Sequence, residues 1–194
     1  MAEVIIVGSA LVLAVFLVIL VLSSFRTTKR MEEVTVDSWE KLSECVESRF
    51  AQIQEIENAV RKAGLKKTDP LFESANRAKN ALAKSYNNSD PEQGAKGESI
   101  FSTHVIPRVA SLYSKSTRLQ NSESFEDLIE DIGELDDKFR SRRNSFNDNV
   151  LRFNSRIESF PSSLTARVSK LESKEIFLLD DEDGVGYNYE MIGE

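Results

Sequence analysis

The sequence predicts an all-α protein, with a single N-terminal transmembrane helix followed by an elongated antiparallel four-helix bundle. Residues Val4 to Phe25 include no charged side chain, and two later stretches repeat apolar residues at gaps of three and four. The 194 residues include only eight Gly and four Pro, too few for the many turns of an all-β fold. We expect a transmembrane anchor with its basic flank at 1–30, a helical bundle at 31–178 and an acidic disordered tail at 179–194.

The apolar run from Val4 to Leu22 is long enough to cross a membrane, because about 20 apolar helical residues span a hydrocarbon core of about 30 Å. The basic residues Arg26, Lys29 and Arg30 follow this run, whereas a cleaved signal peptide normally begins with them. The positive-inside rule therefore places the N-terminus outside and the bundle in the cytoplasm. We expect a single-pass protein of a bacterial or archaeal plasma membrane.

A second amphipathic helix is predicted from Glu32 to Ala63, continuous or nearly so with the span. Its apolar residues share one helical face and are Val36, Trp39, Leu42, Val46, Phe50, Ile53, Ile56, Val60 and Ala63. Gly64 suits the position just after a helix end, where a left-handed backbone is common.

Asp69-Pro70 is typical of a helix start, with a capping carboxylate and a proline in the first turn. The apolar face of that helix is narrow and comprises Leu71, Ala75, Ala78, Leu82 and Tyr86. The segment from Asn87 to Gly97 is rich in turn residues, so we expect a polar connector there. Ile100 to Leu119 is the fourth soluble segment, in which Pro107 either begins the regular part or kinks it.

The longest helix is predicted from Phe125 to Pro161, with Ser124 capping its start and Pro161 ending it. Its stripe comprises Phe125, Leu128, Ile132, Leu135, Phe139, Phe146, Val150, Phe153, Ile157 and Phe160. A helix of about 36 residues is roughly 54 Å long and cannot bury such a stripe alone. The rest of the chain must therefore cover it.

Three features follow the long helix. Leu164 to Leu171 is expected to form one or two further turns, and Ile176 to Leu179 an apolar plug that docks on the bundle. From residue 179 onward the chain has six acidic and no basic residues, which accounts for most of the net charge of −7. We expect this tail to be a disordered, solvated segment or a peptide that docks on a partner. The near-neutral remainder argues against a nucleic-acid-binding face.

One motif in the long helix resembles the LemA family. It comprises Phe146-Asn147, Val150, Phe153-Asn154, Ile157 and Phe160-Pro161, with Leu128, Ile132, Asp136 and Arg143 in register before it. In the preceding long helix, the residues that match the family are Trp39, Val46, Arg49, Ile53 and Ile56. The chain departs from the family at Ser48, Ala51, Gln54 and Glu55, where Arg, Asp, Pro and Asn are usual. The resemblance implies a membrane-anchored helical bundle with no established enzymatic activity.

Arg142 and Arg143 interrupt the long stripe, so at least one of them should lie at or beside the helix seam. An unpaired buried charge costs several kcal/mol, and a charge there therefore needs an acidic partner. The candidate partners are Glu44, Glu47, Glu55 and Asp136. Such a pair could be a polar layer that sets helix register, or a cluster that binds a ligand or handles protons.

Asn147 and Asn154 are seven residues apart and share a helix face, so we expect their amides to bond to a neighbouring helix. No catalytic, cofactor or metal site is predicted. The single cysteine, Cys45, lies near an apolar stripe and is expected to be a buried thiol. His104 follows Phe101, whereas a di-iron bundle needs a Glu at that spacing.

These patterns favour a non-catalytic, membrane-tethered scaffold or interaction module at the cytoplasmic face. Its expected partners are the lipid bilayer and either another protein or a second copy of the chain, with no nucleic acid. The alternative is an accessory subunit that presents or stabilises a membrane enzyme or transporter. An enzyme is the third possibility.

Overall fold

The computed structural model describes residues 1–64, 66 and 69–179. Most of these residues are helical and none of them lies in a strand, which confirms the all-α class. The helices are α1 (Ala2–Lys62), α2 (Pro70–Asn88), α3 (Pro91–Ile100), α4 (Ile106–Tyr113), α5 (Thr117–Gln120), α6 (Glu123–Glu158) and α7 (Ser162–Val168). A π-helical turn, Phe101–Val105, joins α3 to α4.

Helix α1 confirms the expected continuity between the apolar run and the amphipathic stretch that follows it. Its segment Val7–Lys62 is long and apolar enough to cross a membrane, and almost none of its most apolar window is buried. Gly64 follows its end with a φ of 99°, a left-handed conformation that glycine adopts without strain.

The chain folds into two compact units. Unit 1 comprises Met1–Ser38 and Asn147–Glu175, and its apolar cluster is formed by Phe153, Ile157 and Ala166. Met31 and Leu171 pack against this cluster. In unit 1, α6 and α7 lie against α1, as hydrogen bonds from Thr35 to Asn149 O and between the Ser24 and Ser162 hydroxyls indicate.

Unit 2 comprises Trp39–Phe146 and the described part of Ile176–Glu194. Its core takes one apolar face from each main helix, as the 3.6-residue periodicity predicts. The largest buried side chains of that core include Leu42, Ile53, Ile56, Leu71, Leu82, Phe101, Ile106, Phe125 and Ile132. The plug prediction is confirmed for Phe177, which is buried with its ring 5.4 Å from that of Phe139.

The connector predicted from Asn87 to Gly97 is wrong, because α3 begins within it. Asp90 caps α3 by accepting a hydrogen bond from Gln93 N at 3.0 Å. Gly94 and Gly97 are not turn residues: a Cβ at Gly97 would lie 2.7 Å from Leu82 Cγ. These glycines let α3 approach its neighbours closely.

The segment predicted from Ile100 to Leu119 is divided into the π-helical turn, α4 and α5. Pro107 lies in the first turn of α4, so it begins the regular part. Ser124 is not a cap, because α6 begins at Glu123 and the carbonyl of Ser122 accepts the Phe125 N–H. Val36, expected on the buried face of α1, is 52% exposed. The predicted tail lies, from residue 180 onward, outside the described residues.

Candidate functional site

Arg49 on α1 is fully buried and holds two carboxylates. Its Nε donates to both oxygens of Glu98 at 3.1 Å, and its Nη2 donates to Asp136 Oδ1 at 3.2 Å. Its Nη1 donates to Gln52 Oε1 at 2.8 Å. The guanidinium carbon lies 4.4 Å from the centroid of the Phe101 ring. One arginine therefore joins α1, α3, α6 and the π-helical turn within unit 2.

The local sequence explains how these groups meet. Arg49 is spaced three and four residues from Val46 and Ile53, so the buried face of α1 carries it inward. Glu98 lies near the end of α3 and is only 4% exposed, and Asp136 comes from α6. The planar guanidinium has five N–H donors, which lets it bind two carboxylates and an amide oxygen together.

Burial raises the pKa of the Glu98 carboxyl above its ordinary range, because desolvation disfavours the charged form. The charge and hydrogen bonds of Arg49 act in the opposite direction, and the charge of Arg143 also lowers the pKa. The neighbouring Asp136 carboxylate raises it further. Arg49 thus offsets part of the cost of burying the Glu98 carboxyl, and the cluster is a polar layer of linked charged groups.

The prediction of a polar layer named the wrong arginine as its centre. Arg142 and Arg143 are half-buried, and Arg143 donates a long hydrogen bond of 3.5 Å to Asn144. The expected partners on α1, Glu44, Glu47 and Glu55, are exposed and form no ion pair among the described residues. Asp136 is in the layer, but it binds Arg49.

Part of this layer was visible in the sequence. Arg49 stands on the apolar stripe of α1, and a charged residue at such a position signals a buried ion pair. Glu98 carried no such signal, because its segment reads as a turn-rich connector.

Asn154 confirms the expectation of a satisfied amide, although its partner is not a helix. Its Nδ2 donates to Lys174 O at 2.8 Å, and its Oδ1 accepts from Lys174 N at 2.9 Å. Lys174 lies in the irregular segment after α7, so this pair fixes that segment within unit 1. Asn147 is half-buried.

The aromatic residues of the family motif divide into buried and exposed positions. Phe146 is buried with its ring 5.2 Å from that of Trp39, and Phe153 is fully buried. Phe160 is 78% exposed, so its predicted place in the core is wrong. Helix α6 ends at Glu158, and the helical register that would carry Phe160 inward ends with it. Pro161 lies between α6 and α7.

The basic residues after the apolar run lie on α1 in unit 1. Arg26 and Arg30 are exposed, and Lys29 forms an ion pair with Glu32 at 2.8 Å. Two cations are thus available to solvent one helical turn apart.

Cys45 is buried as expected, and burial raises the pKa of its thiol, which makes it a poor nucleophile. His104 is exposed. Among the described residues, no group of three or more His, Cys, Asp or Glu side chains could hold a metal ion.

A surface pocket of about 380 Å³ lies in unit 2 between the end of α1, α5 and the start of α6. Its charged lining residues are Glu55, Lys62 and Arg118, and part of its apolar wall is formed by Leu119 and Phe125. Its charged residues are exposed, and the pocket includes no member of the Arg49 layer.

Comparison with known proteins gives one positive result. The sequence model of the LemA family matches residues 38–185, which is most of the chain. No curated protein and no solved structure shows significant similarity to this chain.

Proposed function

The chain belongs to the LemA family, and we propose that it is a non-catalytic helical scaffold or interaction module, anchored in a membrane by α1 and exposed at the cytoplasmic face. The observation that carries this proposal is the division of α1 into two chemically different halves. Its large apolar side chains from Val7 to Leu22 are exposed, whereas Leu42, Val46 and Ile53 are fully buried. A lipid bilayer would remove the first half from water while the second half forms a core.

The basic flank supports the proposed orientation. Arg26 and Arg30 are exposed directly after the apolar run, where cations favour the cytoplasmic side and attract anionic headgroups. On this proposal the N-terminus is outside, and the amphipathic helices form the expected elongated antiparallel four-helix bundle in the cytoplasm.

The charged layer supports a structural role over a catalytic one. Glu98, the more deeply buried of its two acids, is almost fully buried and accepts hydrogen bonds from Arg49 through both of its oxygens. A general acid or base must be able to reach a substrate proton, and this carboxylate is sealed in the core. The proposed partners are the bilayer and either another protein or a second copy of the chain, with no nucleic acid.

The test is affinity purification of the intact chain from native membranes after light cross-linking, read by mass spectrometry. A full-length control carries Val12→Arg and Phe16→Arg, since each charge at a span centre costs about 2.5–3.5 kcal/mol. We expect the parent chain, but not this control, to be recovered from membranes with a stoichiometric partner or as a defined oligomer.

The outcomes separate the proposed role from its alternative. A defined homo-oligomer or a non-catalytic partner supports the module. A stoichiometric membrane enzyme or transporter whose stability depends on this chain identifies an accessory subunit instead. Recovery of both the parent chain and the arginine control from the soluble fraction would contradict anchoring by α1.

A further inference from the structure

We infer that α7 and the turn before it form a second membrane contact, in which Phe160, Leu164 and Val168 insert among the headgroups and upper acyl chains of an anionic bilayer. This inference rests on the proposed anchoring by α1. It concerns unit 1 alone and assigns a role to apolar side chains that the core leaves outside.

The first observation is an exposed apolar row spaced at every fourth residue. Phe160 is 78% exposed, Leu164 is 49% exposed and Val168 is 86% exposed. Leu164 and Val168 lie one turn apart on the same side of α7, while the opposite side buries Thr165 and Ala166. Single exposed apolar residues are ordinary, but two on one side of α7, with a third in the turn just before it, leave three large apolar side chains in contact with water within nine positions.

The second observation is the level at which α7 meets α1. The hydroxyls of Ser24 and Ser162 lie 2.7 Å apart in a buried contact. Ser24 is two residues before Arg26, where the uncharged run of α1 ends. An element that packs against α1 at this point lies in the boundary plane between hydrocarbon and water.

The third observation is the charge that surrounds the row. Arg167 and Lys170 are exposed in and just after α7, and Arg26 and Arg30 are exposed on α1 shortly after Ser24. Apolar side chains bordered by cations are the chemistry of interfacial helices, which insert apolar groups while basic groups bind anionic headgroups. A water-soluble partner protein would not require this surface to coincide with the end of the span.

The experiment places an environment-sensitive fluorophore on single cysteines in the full chain, reconstituted into phosphatidylglycerol-containing vesicles. The labelled variants are Phe160→Cys, Leu164→Cys and Val168→Cys, each in a Cys45→Ala background. Leu151→Cys is the matched control, because Leu151 is an apolar residue of unit 1 that is also exposed, at 55%, but lies farther from the span along α6. Val15→Cys reports insertion of the span itself.

We expect lipids with a nitroxide near the headgroup to quench the probes at 160, 164 and 168 more than the probe at 151. The same three probes should lose accessibility to iodide, and lipid quenching should weaken in vesicles of phosphatidylcholine alone. The probe at Val15 should instead respond to a nitroxide near the end of the acyl chain.

Quenching at 160, 164 and 168 that matches that at 151, while Val15 is quenched by lipid, overturns this inference and leaves the anchoring intact. Protection from iodide without quenching by lipid also overturns it, because a protein then covers the row. A Val15 probe that no lipid quenches overturns the anchoring, and the inference with it.

Discussion

At the scale of single residues, Arg49 is the charged side chain whose burial costs the most electrostatic free energy, because it is fully removed from water. The carboxylates of Glu98 and Asp136 compensate the charge of the buried guanidinium. Arg49 in turn supplies the positive charge that offsets the burial of Glu98. The layer is a specific link between helices, and its members should not be replaceable one at a time.

Arg49→Met should lower the free energy of unfolding by about 3–5 kcal/mol at neutral pH, because the buried Glu98 carboxyl loses its positive partner and must be either unpaired or protonated in the core. Burial raises the pKa of Glu98, so the loss should shrink as the pH falls and the carboxyl becomes neutral. Chemical unfolding of the detergent-solubilised chain at several pH values measures this.

Arg140→Met is the control for that substitution. Arg140 lies 3.7 Å from the same Asp136 carboxylate, but its side chain is 51% exposed. Its loss should change stability by about 0.5 kcal/mol or less. Equal effects of the two substitutions would show that burial of Arg49 is not what makes it important.

Asp69 should make stability depend on pH in the opposite direction. It caps α2 and accepts two hydrogen bonds from Arg108, which hold the pKa of its carboxyl below the ordinary value of 3.8. This contribution is present above the unfolded-state pKa and is lost as the pH falls through the lower folded-state pKa. Asp69→Asn, which keeps an acceptor for the cap, should therefore be less stable than the parent at neutral pH and equal to it in strong acid.

Asp90→Asn is the matched control, because Asp90 caps α3 without an ion pair among the described residues. Its free energy of unfolding should stay within about 0.5 kcal/mol of the parent. If Asp69→Asn stays below the parent by the same amount at every pH, the ion pair with Arg108 is not the cause.

At the scale of helices, periodicity predicted the two long helices and most of their buried faces. Gaps of three and four identified nine of the ten stripe residues of α6 as buried, and Asp69-Pro70 marked the start of α2. The failures have local causes. Phe160 follows the end of α6, so the helical periodicity no longer applies to it. The glycines of α3 are typical of turns in the sequence, but in the structure they allow close packing against Leu82 and Phe177.

Phe153→Ala should cost about 3–5 kcal/mol, because Phe153 is fully buried in the apolar cluster of unit 1 and its removal leaves a cavity. Phe160→Ala removes the same side chain from an exposed position in the same motif. It should change the free energy of unfolding in detergent by less than about 0.5 kcal/mol. Thermal unfolding followed by circular dichroism compares the two, and a larger effect at Phe160 would refute the assignment of the faces.

Gly97→Ala tests the contact between α2 and α3. The new Cβ would lie 3.0 Å from the backbone nitrogen of Leu82, which cannot rotate away, so we expect a loss of about 1–3 kcal/mol. At Gly133 in α6, a Cβ would meet nothing within 4 Å. Gly133→Ala should therefore stabilise the protein by about 0.5–1 kcal/mol, and destabilisation there would contradict this description of the helix.

At the scale of the whole molecule, the chain joins an uncovered apolar helix end to packed amphipathic helices. Composition and periodicity were enough to predict the apolar span and the helical class. They could not predict the partner of Arg49, because Glu98 is 49 residues away and its segment carries no apolar stripe. Long-range pairs of this kind depend on packing that local patterns do not encode.

The charge of the flank is expected to set orientation. If Arg26, Lys29 and Arg30 keep the packed helices in the cytoplasm, then replacing all three with Glu should invert the chain or reduce its insertion. A reporter at the C-terminus records the change, and the matched control replaces Lys84, Lys96 and Arg152, which are exposed and lie outside α1, with Glu.

The most direct test of the central claim is the side of the membrane on which the C-terminus lies, measured with paired fusions to alkaline phosphatase and to a fluorescent protein. We predict a fluorescent fusion that stays with membranes after alkaline extraction, and an inactive phosphatase. An active phosphatase would contradict the cytoplasmic location of the C-terminus, and a fusion released by alkaline extraction would contradict anchoring by α1.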